Sequence, residues 1–111
     1  MTLVLSNAAA ATAPDPARGA AGCPLLDPRT GRPVADEASV TVVGRPASRV
    51  RALADALRVM GRSAAATYAR AHRDVGILWL EPQSDGVRAW VWNLDKVEPA
   101  AGLRVEWMSN P

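Results

Sequence analysis

The stretch that decides the fold covers residues 39–60 and reads SVTVVGRPASRVRALADALRVM. Its first part, Ser-Val-Thr-Val-Val, is mostly β-branched and predicts a strand, because branched side chains pack well on a pleated surface. The Gly-Arg-Pro that follows ends the strand, and proline suits the first turn of a helix. Val50, Leu53 and Leu57 then recur at helical spacing, so residues 47–60 are predicted to form a helix with one apolar face.

Downstream of this helix, the pattern changes at a glycine. Gly61 either caps the helix or sits inside a longer one, and a second helix is predicted from residue 64 to about residue 73. Three strands are predicted after it, at residues 76–80, 87–92 and 103–107. The first of these is almost continuously apolar, which predicts burial on both of its faces, whereas residues 103–107 alternate between apolar and polar side chains.

Upstream, the Asp-Pro-Arg-Thr-Gly at residues 27–31 predicts a tight turn, because proline presets φ and glycine accepts positive φ. The order of elements predicts one α+β domain over residues 25–111, in which a helix packs on a small antiparallel sheet. Residues 1–24 are rich in alanine and proline and offer little to bury, so we predict a flexible N-terminal arm. A chain of 111 residues is long enough for one such domain.

The composition argues against several classes of protein. No apolar run approaches the roughly 20 residues that span a bilayer, so no membrane partner is predicted. The single cysteine, Cys23, excludes an internal disulfide. Zinc needs about four well-spaced ligands, and we predict neither a metal nor a cofactor. His72 has no acid or nucleophile placed to act with it, so we predict a helix-end histidine and no enzymatic activity.

A basic block covers residues 45–74, where seven arginines and two aspartates give a net charge of +5. It is either a solvated helix face or a surface for phosphates or an acidic protein. Helix, glycine turn and second helix over residues 50–73 also have the outline of a helix-turn-helix. In that alternative the chain is a small nucleic-acid-binding regulator, and its candidate binding residues are Arg51, Arg58, Arg62, Arg70 and Arg73.

Four tryptophans fall within the last 33 residues. Trp90 and Trp92 share one face of their predicted strand with Arg88. If that face meets the helix, they are core residues; if it does not, they form an exposed aromatic patch that binds a partner. The candidate partner-binding residues of the arm are Leu3, Val4 and Leu5.

The cadence LLDPRTGRP at residues 25–33, followed by VTVVG at 40–44 and a basic helix, is similar to the N-terminal part of small structural or tail-assembly proteins of tailed bacteriophages. The resemblance covers residues 25–53. It implies a non-enzymatic structural or assembly protein in a virion or in the bacterial cytoplasm. Its partners would be protein subunits of the same assembly, contacted through the arm and the folded domain, and the chain would be an oligomer. A weaker third hypothesis is a small inhibitor of a nucleic-acid enzyme.

Overall fold

The computed structural model describes residues 8–13, 26–34 and 37–94, and the backbone of residues 103–108. These residues form seven strands and two helices. In chain order the elements are β1 Ala9–Ala13, β2 Leu26–Asp27, β3 Arg32–Pro33, β4 Ser39–Gly44, α1 Ala47–Met60, α2 Arg62–Ala71, β5 Gly76–Gln83, β6 Gly86–Trp92 and β7 Leu103–Met108. Neither of the two described helices is long and apolar enough to cross a membrane.

The main sheet has five strands in the order β1-β4-β5-β6-β7, and β2 and β3 form a separate hairpin. The first three pairings of the main sheet are antiparallel, whereas β6 pairs with β7 in parallel. The predicted α+β class, with helices packed on a small antiparallel sheet, is confirmed. The parallel pairing of β7 was not predicted, because alternation along a strand indicates which face is buried and does not indicate the direction of its neighbour.

Two helices, and not one, follow β4. The predicted helix 47–60 is present as α1, and α2 begins and ends two residues before the predicted 64–73. Gly61 separates them with φ of +100°, a conformation that favours glycine because it has no Cβ. The backbone amide of Gly61 donates to the carbonyl of Leu57 at 2.9 Å, so Gly61 ends α1, and the alternative in which it sits inside a longer helix is wrong.

Most of the core lies between the helices and one face of the sheet. α1 contributes Val50, Ala54 and Leu57 to this core, which confirms the predicted apolar face. A second, smaller cluster of buried side chains lies apart from this core and contains Leu78, Ala89 and Val91. β5 alternates between the two clusters, because Ile77 and Trp79 belong to the first and Leu78 to the second, as the near-continuous apolar run predicted.

The edge strand β1 lies inside the predicted flexible arm 1–24. It pairs with β4 in register, the hydroxyl oxygens of Thr12 and Thr41 are 2.8 Å apart, and Ala13 is fully buried. For the five residues of β1, the prediction of a flexible arm is wrong, because ladder hydrogen bonds and contact with α1 offset the cost of ordering small residues. The candidate arm residues Leu3, Val4 and Leu5, and Cys23, lie outside the described residues.

Candidate functional site

The arginines proposed to bind nucleic acid have partners within the chain. Arg58 is 3% exposed, and its Nε donates to the carbonyl of Ala38. Arg51 is half-buried and donates to a backbone carbonyl of β1, and Arg70 bonds back to a carbonyl of its own helix. Arg73 is exposed in the turn after α2. The helix-turn-helix hypothesis is not supported, because α1 packs its apolar face on β1 and β4 and turns Arg58 into the core.

The predicted aromatic residues are core residues. Trp90 and Trp92 are 7% and 3% exposed and belong to the main cluster under the helices. The guanidinium of Arg62 lies 3.9 Å above the Trp90 ring, and that of Arg88 lies 5.0 Å from it. Arg62 also forms an ion pair of 3.1 Å with Glu81. Of the two alternatives for this face of β6, the structure therefore has the core one, and these tryptophans form no exposed patch.

The predicted tight turn at residues 27–31 is present between β2 and β3. The backbone amides of Thr30 and Gly31 donate to the carbonyl of Asp27, and Gly31 has φ of +70°. Hydrogen bonds from Arg29 lower the pKa of Asp27 below its ordinary value. Arg29 also donates to the carbonyl of Val59 (3.4 Å), which fastens the turn to the last turn of α1. The turn is largely exposed, and the charge of its carboxylate is balanced by the ion pair with Arg29.

A larger cavity, of about 540 Å³, lies where β4 ends and β5 begins. We call it the Arg45 cavity. Its lining includes Gly44, Arg45, Asp74, Gly76, Asn93 and Leu94. Arg45 is exposed at its edge, whereas Gly44 and Gly76 are buried and present bare backbone to it. The cavity therefore combines one accessible cation, one carboxylate and one amide side chain with walls that include two glycines and Leu94.

A polar network holds the carboxylate of this cavity. Arg49 Nη1 donates to Asp74 at 3.0 Å, and Arg49 Nη2 donates to the hydroxyl of Tyr68 at 3.1 Å. The hydrogen bond from Arg49 lowers the pKa of Asp74 below its ordinary value. The ring of His72 stacks on that of Tyr68 with 4.0 Å between centroids. His72 is thus a helix-end residue, as predicted, and its ring nitrogen Nδ1 lies 3.2 Å from the Tyr68 carbonyl oxygen.

Sequence reasoning missed these residues. Arg49 was counted only as part of the basic block, and Asp74 and Asn93 were not singled out. For Asp74 and Asn93 the available signal was their position, because each follows the end of a helix or strand, where side chains often bind ligands or cap backbone groups.

A smaller cavity, of about 310 Å³, is lined by Glu37, Ala38, Glu81 and Pro82. Both carboxylate oxygens of Glu81 are engaged, one by the indole of Trp79 and one by Arg62. Within the part of the chain that the structure describes, no group of three or more His, Cys, Asp or Glu side chains could hold a metal ion. We therefore take the Arg45 cavity as the candidate site.

Comparison with known families places the chain in a class of enzymes. The sequence model of the ApbE family matches residues 3–79, which is more than half of the chain. This chain belongs to the ApbE family, whose members are flavin transferases. The comparisons with curated proteins and with solved structures found no match.

This finding corrects the predicted function. The resemblance to bacteriophage tail-assembly proteins is wrong, as are the structural role, the virion location and the absence of enzymatic activity that followed from it, because the match is to a bacterial enzyme family. The nucleic-acid-binding alternative is not supported either. A turn, a strand and a basic helix are common parts of many folds, so the sequence pattern of residues 25–53 did not discriminate between families.

Proposed function

We propose that this chain has a flavin-transferase-related function and that the Arg45 cavity binds a flavin nucleotide. The observation that carries the proposal is the family match over residues 3–79. Gly44, Arg45, Asp74 and Gly76 of the cavity fall within that range. A location in the bacterial cytoplasm and an oligomeric state stay predictions.

The chemistry of the cavity fits one part of such a ligand. A flavin nucleotide combines a flat ring system with at least one phosphate group. Guanidinium groups bind phosphate through paired N–H donors, and exposed Arg45 lies where it can do so. A volume of about 540 Å³ falls in the range of small-molecule sites. The negative charge of Asp74 opposes phosphate binding, but Arg49 forms an ion pair with Asp74 and offsets part of that charge.

Binding of FMN and riboflavin separates the role of the phosphate from that of the ring, because the two ligands differ only in that group. We would titrate the full chain into each ligand and follow the flavin fluorescence. FMN is expected to bind more tightly than riboflavin. Arg45→Gln should weaken FMN binding about fivefold, the size of one exposed ion pair. Arg32→Gln, which removes an exposed arginine from the β2–β3 hairpin, is the matched control and should change nothing.

The proposal is contradicted if no flavin binds at millimolar concentration. It also fails at this cavity if Arg45→Gln and Arg32→Gln weaken FMN equally, since the effect would then be one of net charge. Transferase activity itself is tested by incubating the chain with FAD and following the flavin species by chromatography. FAD that remains unchanged beside a candidate acceptor protein, under conditions where it binds, argues against catalysis by this chain.

A further inference from the structure

The end of β6 is fastened to the end of α2 through one side chain. The amide nitrogen of Asn93 donates to the carbonyls of Ala69 and Val75, both at 2.9 Å, and lies 3.4 Å from that of His72. The last carbonyls of a helix have no partner within the helix. Asn93 supplies donors there and to the loop that leads into β5. It therefore joins three separate points of the backbone.

The backbone conformation of Asn93 places Leu94 at the wall of the cavity. Its φ is +58°, a left-handed conformation that asparagine tolerates better than most residues. Leu94 then lies against Gly76, so closely that a Cβ at Gly76 would come within 2.3 Å of Leu94 Cδ2. The strand end and the glycine are thus fitted to each other. Together they form one wall of the Arg45 cavity.

The loop that Asn93 holds is also the loop that carries Asp74. Residues 72–75 lie between α2 and β5, and the amide of Val75 donates to the carbonyl of His72 at 3.2 Å. Asp74 is the carboxylate that pairs with Arg49 at the cavity. Asn93, which follows the C-terminal end of β6, therefore holds the backbone on both sides of Asp74.

We propose that Asn93 is a positioning residue of the Arg45 cavity, and that it holds the Asp74 loop and the Leu94 wall in place for a flavin nucleotide. The identity of the ligand rests on the proposed function. Asn93 and Leu94 lie beyond residues 3–79, so the family match does not extend to them. The part of the chain after the matched range thus contributes to the site and is not only a structural extension.

Asn93→Gly is the decisive variant, because glycine tolerates the positive φ and removes the side chain that carries the amide. Thr12→Val is the matched control, since it removes a hydrogen bond from the opposite side of the sheet, at Thr41. We would measure amide hydrogen exchange at Val75 by NMR and the dissociation constant of FMN. In Asn93→Gly the Val75 amide is expected to exchange about tenfold faster than global unfolding explains, and FMN to bind about tenfold more weakly. Neither change is expected in Thr12→Val.

The two measurements separate this proposal from the proposed function. If the native chain binds no FMN, the flavin assignment fails, while the exchange of Val75 still decides whether Asn93 holds the loop. Unchanged exchange at Val75 in Asn93→Gly overturns the clamp. Faster exchange with unchanged FMN affinity, in a chain that binds FMN, overturns the positioning role.

Discussion

Replacing Gly76 by alanine tests the tightest contact in the Arg45 cavity. A Cβ at this position would lie 2.3 Å from Leu94 Cδ2 and 2.8 Å from its Cγ. Carbon atoms are in favourable contact at about 3.5–4.0 Å, so Leu94 would have to move by more than about 1 Å. The φ of Gly76 is not in the left-handed region, and the cost is therefore steric and not conformational.

The magnitude follows from what Leu94 loses. Overpacking costs about 1–3 kcal/mol, and a half-buried leucine that swings out forfeits about 1 kcal/mol of burial. Alanine also stabilises by about 0.4–1 kcal/mol relative to glycine, because it restricts the unfolded chain. We expect a net loss of about 1–2 kcal/mol in the free energy of unfolding. Since each 1 kcal/mol shifts Tm by about 4–8 °C in a domain of about 100 residues, this loss lowers Tm by about 4–16 °C.

Gly44→Ala is the matched control. Gly44 is also a buried strand glycine of the cavity, but a Cβ there meets its nearest atoms, in Val50, Asp74 and Val75, at 3.6–3.7 Å, which is ordinary contact. Urea denaturation of both variants, with Leu94→Ala and the double variant Gly76→Ala/Leu94→Ala, completes a cycle. The double variant should be as stable as Leu94→Ala alone. Equal stability of Gly76→Ala and Gly44→Ala, or additive losses in the cycle, would refute the reasoning.

Three other perturbations have defined outcomes. Arg58→Ala should lower the free energy of unfolding by about 2 kcal/mol in urea denaturation, because it removes the hydrogen bond that the buried guanidinium donates to the carbonyl of Ala38; a neutral result would contradict this role. Gly61→Ala should cost about 1–2 kcal/mol, because φ of +100° is unfavourable for alanine and no atom lies near enough to clash; a stabilised variant would argue for another conformation at this site. The pKa of Asp74, followed by NMR titration, should lie below the ordinary 3.8 and rise in Arg49→Gln, because the hydrogen bond from Arg49 is the largest cause of the shift. Since a lowered folded pKa stabilises the fold above the unfolded pKa, this contribution is lost as the pH falls below about 4, and an unshifted titration would exclude the ion pair.

The elements with strong local signals were predicted well. The helix over residues 47–60, the strand at residues 39–43 and the turn at residues 27–31 all depend on spacing and on residues with restricted φ, which act over a few neighbours. The strands at residues 76–80 and 87–92 were also recognised, although β5 continues to Gln83. The first and last residues of these strands were harder to predict from sequence, because a strand ends where its partner strand stops.

The candidate site was not predictable in the same way. Asp74, Asn93 and Arg45 are separated in the chain and meet only because β4, β5 and β6 are neighbours in the sheet. The family was also missed, because the resemblance relied on a turn, a strand and a basic helix that many folds share. The family match over residues 3–79 uses a much longer pattern.

By itself, the sequence determined the type and position of most elements, the tight turn and the apolar face of α1. Only the tertiary structure decided that Trp90 lies beneath the helices, that Arg58 is buried, that Ala9–Ala13 joins the sheet and that Asn93 clamps the Asp74 loop. The physical reason is the separation along the chain over which each effect acts. Local propensity and periodicity act between residues a few positions apart, whereas burial, strand pairing and side-chain contacts depend on which distant segments pack together.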